Sequence, residues 1–375
     1  MTIVAIMLLK FLSSTFLPST ILVLAPIQVL AQPQTVLLAQ INKLELNNLL
    51  LMGKQYVDEQ NYDKALETYQ QAAELDQENP QIFSGIGYVQ TLRKDYVGAR
   101  AAYQQAINLS PDNPKLYYAL GFALGSAGEN LAAAAAYERA IELEPDNLQN
   151  HFGLGVVLTR AEEYERAIAT YTEILNLAPD NEQAYDIVSR ILIQQQSYPK
   201  AIALLEKAVT LNPNASDLRV RLAIAQVNYG EVAAGMETLE LAKKIAPQNH
   251  SIYLQTGNIF YQQREFDRAL TEYQRAARLK PDSSAAIEGI GKVYLAQQNY
   301  FRATVEFRRL TEIAPNQPVG YHNLGIALMA RNRNQEAIAA LNQALKLYKN
   351  NSDQDQARQV SRLIEKINKS SDNTN

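Results

Sequence analysis

The sequence predicts an all-α protein, a solenoid of nine helical hairpins closed by a C-terminal cap helix, from three observations. The first is a ladder of prolines spaced 34 residues apart: Pro111, Pro145, Pro179, Pro213, Pro247, Pro281 and Pro315. The second is that apolar residues recur at helical spacing in two runs within each interval. The third is that small and large apolar residues recur in register with the prolines. A unit repeated without insertion or deletion, which cannot bury its apolar face alone, is typical of a solenoid.

With each proline at position 32, the chain divides into nine repeats of 34 residues. Repeats one to nine span 46–79, 80–113, 114–147, 148–181, 182–215, 216–249, 250–283, 284–317 and 318–351. Repeat one has Gln77 and repeat nine has Lys349 where the others have proline. Because proline cannot continue a helix, it ends the second helix of each repeat and turns the chain into the next one.

Two further positions explain how the paired helices pack. Position 20 is small throughout: Ala65, Ala99, Ala133, Ala167, Ala201, Gly235, Ala269, Ala303 and Ala337. Position 24 is large and apolar: Tyr69, Tyr103, Tyr137, Tyr171, Leu205, Leu239, Tyr273, Phe307 and Leu341. A small residue lets two backbones approach closely, and the large side chain fills the space beside them. Glycine pairs inside first helices, such as Gly153 and Gly155, are therefore predicted to be close-packing sites and not phosphate loops.

This pattern resembles the tetratricopeptide repeat family over residues 46–351. The resemblance implies a right-handed superhelix whose first helices line a concave groove, at positions 2, 5, 6, 9, 12 and 13 of each repeat. It also implies a non-enzymatic protein that binds an extended segment or a chain terminus of a partner protein. Repeat six departs from the pattern, with Arg219 at the usually aromatic position 4 and Gly235 at position 20. That departure predicts the least stable joint of the array.

The N-terminal residues differ in kind from the repeats. Within 1–31 the single charge, Lys10, precedes a largely apolar stretch that ends in a small-residue cleavage pattern at Ala31. This favours a signal peptide, starting at Met1 or Met7. The alternative is an uncleaved membrane anchor, since about 20 apolar residues can span a bilayer, and it would be the only membrane contact. Both alternatives predict that the repeats are exported, to the periplasm or to the extracytoplasmic side of a membrane.

The remaining segments are short. Residues 32–45 are predicted to be a linker between the N-terminal segment and the first repeat. An amphipathic stretch over 352–369 is predicted to be a capping helix, because the last unit of a solenoid needs a polar outer face. The final residues, 370–375, are predicted to be a disordered tail.

Composition excludes several classes of function. A net charge of −4 and a pI near 5.6 provide no basic footprint for nucleic acid. The chain has no cysteine, which excludes disulfides, thiol chemistry and lipoprotein anchoring. His151, His250 and His322 show no metal-ligand spacing, and His151 at position 4 is predicted to have a packing role. No catalytic motif occurs, so the sequence predicts neither an enzyme nor a cofactor.

The groove positions implied by the resemblance form two zones. The first zone is apolar, with Tyr88, Tyr118, Phe122, Phe152 and Val156. The second zone is polar, with Arg190, Arg221, Asn258, Lys292 and Asn323. The aromatic residues either form a usable apolar groove or simply pack against the next repeat.

The polar zone suggests an anion clamp. The resemblance implies that Arg190 lies beside Arg221 and Lys292 beside Asn323, similar to a clamp for a chain-terminal carboxylate. Pairing at i, i+4, as in Asp217–Arg221, opposes that interpretation because it would neutralise the cations.

The sequence therefore predicts an exported, non-enzymatic scaffold. Its layout is similar to that of the PratA-type photosystem II assembly factors of cyanobacteria, which implies a reaction-centre subunit precursor as partner and manganese as a bound metal. Manganese prefers oxygen ligands, and the acidic run at Glu162, Glu163 and Glu165 could supply them, although such runs are usually solvated surface. The alternative is an organiser of a cell-envelope complex, in polysaccharide or pilus secretion or in outer-membrane maintenance.

Overall fold

The computed structural model describes residues 32–372, and every regular element in that part of the chain is an α-helix. The predicted signal peptide, 1–31, and the last three residues of the predicted tail lie outside the described residues. The chain divides between Ala127 and Gly128 into two compact units, called here the first unit and the second unit. Each unit is a stack of consecutive helices, which confirms the prediction of an all-α repeat solenoid.

The described residues form nineteen helices. Those of the first unit are α1 Gln32–Asp58, α2 Tyr62–Leu75, α3 Pro80–Leu92, α4 Tyr96–Leu109 and α5 Pro114–Ser126. Those of the second unit are α6 Asn130–Leu143, α7 Leu148–Arg160, α8 Tyr164–Leu177, α9 Glu182–Gln194, α10 Tyr198–Leu211, α11 Ser216–Tyr229, α12 Val232–Ile245, α13 His250–Gln262, α14 Phe266–Leu279, α15 Ser284–Ala296, α16 Tyr300–Ile313, α17 Pro318–Met329, α18 Asn334–Asn350 and α19 Gln354–Asp372. Each repeat thus supplies two helices, an odd-numbered first helix and an even-numbered second helix.

Local sequence sets where these helices begin and turn. Before several first helices an asparagine at position 34 caps the N-terminus, as where Asn79 Oδ1 accepts the Gln81 N–H at 3.0 Å. The turn between the two helices of each repeat places position 15 at positive φ: Gln60, Lys94, Gly128, Glu162, Gln196, Gly230, Arg264, Gln298 and Asn332. Glycine occupies only two of these nine positions, so the turn leaves no glycine pattern in the sequence.

Where position 24 is tyrosine, its ring packs beneath the first helices of two consecutive repeats, and this layer of rings is called here the tyrosine floor. A Cβ atom added to Gly53 would lie 2.8 Å from Tyr69 Cζ, and one added to Gly85 would lie 2.8 Å from Tyr69 Cε1. The Tyr69 ring therefore packs against its own repeat at position 8 and against the next repeat at position 6. In the second unit, Tyr273 packs in the same way against Gly257 and Gly289. The predicted close-packing role of these glycines is confirmed.

A second recurring contact joins consecutive repeats at the proline. The position-4 side chain donates a hydrogen bond to the proline carbonyl six residues earlier: Tyr185 OH to Pro179 O at 3.2 Å, Arg219 Nη1 to Pro213 O at 2.5 Å and Tyr253 OH to Pro247 O at 2.9 Å. His151 Nε2 lies 2.6 Å from Pro145 O, and its side chain is buried, so the predicted packing role is confirmed. In repeat eight position 4 is Ile287, and Arg309 donates to Pro281 O instead, at 2.9 Å. Arg219 therefore makes the same hydrogen bond to the proline carbonyl that tyrosine makes in other repeats, although arginine is unusual at position 4.

Both ends of the described chain are helical. Residues 32–45, predicted to be a linker, form the first half of α1, because after Pro33 the segment contains no glycine or proline and is rich in helix-forming leucine and glutamine. At the other end α19 buries Ala357, Val360 and Ile367 against the preceding helices and exposes its polar face. It extends three residues beyond the predicted cap.

Candidate functional site

First helices of the second unit line two adjoining pockets. One pocket of about 480 Å³ lies among α9, α11 and α13 and is called here the acidic pocket, after Glu182, Asp186 and Asp217 in its wall. The other, of about 430 Å³, lies among α11 to α15 and is called the amide pocket, after Asn228, Gln255, Asn258 and Gln262. Because Ile224 and Gln255 line both pockets, the two form one continuous depression, called here the second-unit groove.

The amide pocket is held together by hydrogen bonds within its floor. Asn258 Nδ2 donates to Gln255 Oε1 at 3.2 Å, and Tyr273 OH donates to Asn258 Oδ1 at 2.8 Å. Burial, with Tyr261 and Glu288 nearby, raises the pKa of Tyr273, so its phenol stays protonated and donates at neutral pH. Tyr273 reaches the pocket from the second-helix layer because Gly289, at position 6, has no side chain to cover the ring.

A salt bridge lies at the α15 side of the amide pocket. Lys292 Nζ lies 2.5 Å from Glu288 Oε1, four residues earlier on the same helix. The two residues have the i, i+4 spacing that favours ion pairs on a helix, and the pair engages the cation that was predicted to act beside Asn323. Asn323 Nδ2 is buried and has no hydrogen-bond partner within residues 32–372. Lys292 is therefore paired with a carboxylate, as the argument against the clamp expected.

The acidic pocket contains the most connected charges of the groove. Arg221 donates to Asp186 Oδ1 twice, from Nε at 2.9 Å and from Nη2 at 2.5 Å. Arg190 Nε lies 3.4 Å from the other oxygen of Asp186. Arg190 and Arg221 thus meet as predicted, but through a carboxylate that neutralises part of their charge.

One predicted ion pair of this pocket is wrong. Asp217 was expected to pair with Arg221 at i, i+4, whereas its Oδ1 accepts from Asn249 Nδ2 at 2.7 Å. Asp186 captures Arg221 because it approaches from the preceding repeat and allows two donors on one oxygen. A two-donor contact across repeats is stronger than a single-helix pair exposed to solvent.

The predicted aromatic residues are divided between the two units. In the first unit Tyr88 is 49% exposed and Phe122 is 52% exposed, while Tyr118 between them in sequence is half-buried. In the second unit Phe152 is half-buried and stands edge-on to Tyr171, with ring centroids 6.1 Å apart, and Val156 is exposed. Phe152 therefore packs within the array, as the alternative interpretation expected, whereas Tyr88 and Phe122 present apolar surface to solvent.

Near the C-terminal end His322 forms a small aromatic cluster. Its ring stands edge-on to Tyr348 with centroids 6.0 Å apart, and its Nδ1 lies 3.5 Å from Tyr348 OH. Burial lowers the pKa of His322, so the imidazole is neutral at physiological pH. Within residues 32–372 no group of three or more His, Asp or Glu side chains is arranged to hold a metal ion. None of the helices in that range is long and apolar enough to cross a bilayer.

Three residues of the amide pocket were not among the predicted site residues, although the sequence indicates why they lie there. Asn228 and Gln262 both occupy position 13, one of the groove positions, and lie in the amide pocket. Tyr273 occupies position 24, which pattern reasoning assigns wholly to the core. Its access to the pocket follows from glycine at position 6 of the next repeat, which is visible in the sequence as Gly289.

Comparison with known families covers most of the chain. A model described as TPR repeat matches residues 53–92, 91–128 and 257–298. Models described as Tetratricopeptide repeat match residues 118–182, 192–256 and 318–351. No curated protein shows significant sequence similarity to the chain.

Solved structures share the fold at low identity. Yeast Tom70 is 14% identical, with a TM-score of 0.51 over 87% of this chain and 96% of that one. YrrB, a TPR protein described as having an unusual peptide-binding site, is 22% identical, with a TM-score of 0.39 over 50% of this chain and 97% of that one. Human IFIT1, solved as a dimer with m7Gppp-AAAA, is 18% identical, with a TM-score of 0.43 over 70% of this chain and 67% of that one. At 14% identity the likeness to Tom70 indicates a common fold and no more.

Proposed function

Because the chain belongs to the tetratricopeptide repeat family, we propose that it is a protein-binding scaffold that holds an extended segment of a partner protein. The observation that carries this proposal is the second-unit groove, where two adjoining pockets lie open across the first helices of four consecutive repeats. The side chains that the structure describes leave this volume unfilled.

The chemistry of the amide pocket supports an extended peptide as the occupant. An extended segment presents a backbone N–H and a C=O about every 3.3 Å, and its side chains alternate between two faces. A carboxamide both donates and accepts, so four of them can bond peptide groups regardless of the side chains attached. Because Asn258 is already fixed by Gln255 and Tyr273, little of the binding free energy is lost in ordering it.

A variant of the amide pocket tests this function. The change is Gln255→Ala with Asn258→Ala, and the measurement is retention of partner proteins from the organism's exported fraction on the immobilised chain. We expect retention to fall at least tenfold, since two backbone-bonding groups contribute roughly 1 kcal/mol each. Asn342→Ala, at an exposed asparagine of the second helix α18, is the matched control and should retain partners fully. Equal retention by both variants would show that the groove is not the binding site.

Export and the biological setting are part of the same proposal. The apolar segment before residue 32 supports delivery of the repeats to the periplasm or to the outer side of a membrane, and fractionation of cells tests it. We propose photosystem II assembly as the setting on the basis of layout, and cell-envelope complex organisation as the second candidate. Retention of a reaction-centre subunit precursor supports the first, and retention of secretion or outer-membrane components supports the second.

A further inference from the structure

The cations of the second-unit groove are already committed to carboxylates. Arg221 places both of its donated bonds on Asp186, and Lys292 is bonded to Glu288 on its own helix. Arg190, half-exposed beside the acidic pocket, is bonded to the second oxygen of Asp186. An incoming carboxylate would have to break one of these pairs, so the groove offers it no free positive charge.

Two carboxylates of the acidic pocket are in the opposite situation. Among the described residues, neither Glu182 nor Asp217 has a basic side chain within ion-pair distance. Asn249 Nδ2 holds one oxygen of Asp217 at 2.7 Å, which orients the carboxylate without neutralising it. Both residues lie in the first turn of a helix, α9 for Glu182 and α11 for Asp217.

The same pocket has an apolar wall. Leu218, Val220 and Ile224 line it together with the carboxylates, and Val220 and Leu218 are nearly fully buried against the helix stack. A wall of aliphatic side chains below a rim of carboxylates suits a side chain with an apolar stem and a cationic head. Lysine and arginine are the residues of that form. A volume of about 480 Å³ accommodates either one together with its backbone.

We propose that the acidic pocket receives a lysine or arginine side chain of the bound segment, with its cationic head at Glu182 and Asp217. This inference rests on the proposed function. The amide pocket holds the neighbouring backbone of the same segment, because the two pockets share Ile224 and Gln255 and are therefore contiguous. The groove accordingly selects a segment with an internal basic residue, and a chain-terminal carboxylate is not its ligand.

Three peptides and the full chain test the inference. A 12-residue host of alanine, serine and leucine, blocked at both ends and labelled with a fluorophore, carries lysine, norleucine or glutamate at its centre. Norleucine keeps the aliphatic stem and removes the charge. We expect fluorescence anisotropy to give about fivefold tighter binding for lysine than for norleucine at low salt, with glutamate the weakest. The preference should fall as salt is added, since the pair is partly exposed.

The groove variants locate the effect. Glu182→Gln with Asp217→Asn keeps the shape of the pocket and the Asn249 hydrogen bond, and it should abolish the preference for lysine over norleucine. Glu206→Gln, on the exposed face of α10, is the matched control and should keep the preference. Arg221→Gln should leave lysine binding intact or strengthen it, whereas an anion clamp would lose glutamate binding.

The outcomes separate the inference from the function on which it rests. Equal binding of the lysine and norleucine peptides, or a preference for glutamate, overturns the inference and leaves the scaffold function standing. Binding of none of the three peptides, together with unchanged partner retention by the amide-pocket variant, overturns both. A lysine preference that survives Glu182→Gln with Asp217→Asn places the basic side chain elsewhere and also contradicts the inference.

Discussion

Position 9 of the first helix differs in chemistry between particular repeats of the two units. In the first unit it includes Tyr88 and Phe122, which are each about half exposed and present apolar surface to solvent. In the second unit it includes Arg190, Asn258 and Lys292, and each of these is bonded to another groove residue. At these residues the same backbone position therefore carries exposed apolar side chains in the first unit and hydrogen-bonded or ion-paired side chains in the second.

Because of this difference, we expect the two surfaces to contribute differently to the binding of a partner. Burying an exposed aromatic ring against a partner breaks no existing bond, so most of the gain appears as affinity. A paired polar side chain must share or lose its partner when it binds, so its net contribution is small but strongly dependent on the ligand's chemistry. The first unit is suited to supply affinity and the second to supply selectivity.

The largest effect is expected from the tyrosine floor beneath both surfaces. Gly85→Leu in the first unit and Gly289→Leu in the second place a side chain where a Cβ alone would lie 2.8 Å and 2.7 Å from the rings of Tyr69 and Tyr273. Each change should lower the free energy of unfolding by about 3 kcal/mol, measured by urea denaturation. Gln81→Leu, exposed on α3, is the control and should cost less than about 0.5 kcal/mol. Unequal losses at the two glycines would show that the floor differs between the units.

A second prediction tests the apolar surface alone. Tyr88→Ala with Phe122→Ala should weaken binding of the retained partner about thirtyfold, or about 2 kcal/mol, because two exposed aromatic contacts are removed. The thermal midpoint should stay close to that of the unmodified chain, since neither ring belongs to the core. Val97→Ala, at an 84% exposed site on the second helix α4, is the matched control for loss of apolar surface. Comparable weakening by the control would contradict the contrast between the units.

The repeat architecture could be predicted because its determinants are local and periodic. Proline at position 32, a small residue at position 20 and a large residue at position 24 make contacts within one repeat or with the adjacent repeat. Each therefore recurs every 34 residues and can be recognised in the sequence. The start of the first helix was harder to predict. Residues 32–45 lie outside the 34-residue period, so they were predicted to be a linker, and only their helix-forming composition favours the helix that they form.

The site was less predictable for two reasons. Residues of different types can make the same hydrogen bond between repeats, and an ion pair can form between repeats in place of the pair expected within one helix. Arg219 differs from tyrosine in the sequence, yet both donate to the same proline carbonyl. Arg221 lies four residues after Asp217, yet it binds Asp186, which is 35 residues away. A rule for one helix cannot anticipate a competitor on the neighbouring helix. Predicting such pairs requires the register between adjacent repeats as well as the spacing within one.

The smallest expected effect concerns an exception to charge pairing in the second unit. Glu272 and Glu306 both occupy position 23, in repeats seven and eight. Glu272 accepts from Lys243 Nζ at 3.0 Å, whereas the residue that corresponds to Lys243 one repeat later is Ala277. Glu306 Oε2 is accordingly buried without a hydrogen bond, and the Arg309 guanidinium is 3.9 Å away. Burial raises the pKa of Glu306, and this outweighs the opposing effect of Arg309.

Glu306→Gln should therefore stabilise the fold by about 1 kcal/mol at pH 8, as measured by urea denaturation. The folded chain holds the Glu306 proton more tightly than the unfolded chain, so ionisation destabilises the fold above the raised pKa. That cost disappears as the pH falls below the ordinary glutamate pKa, and the advantage of the variant should disappear with it. Glu272→Gln is the matched control, and it should destabilise the fold at pH 8 because Lys243 loses a partner. An advantage of Glu306→Gln that persists unchanged at pH 4 would mean that shape, and not the buried charge without a hydrogen bond, distinguishes the two positions.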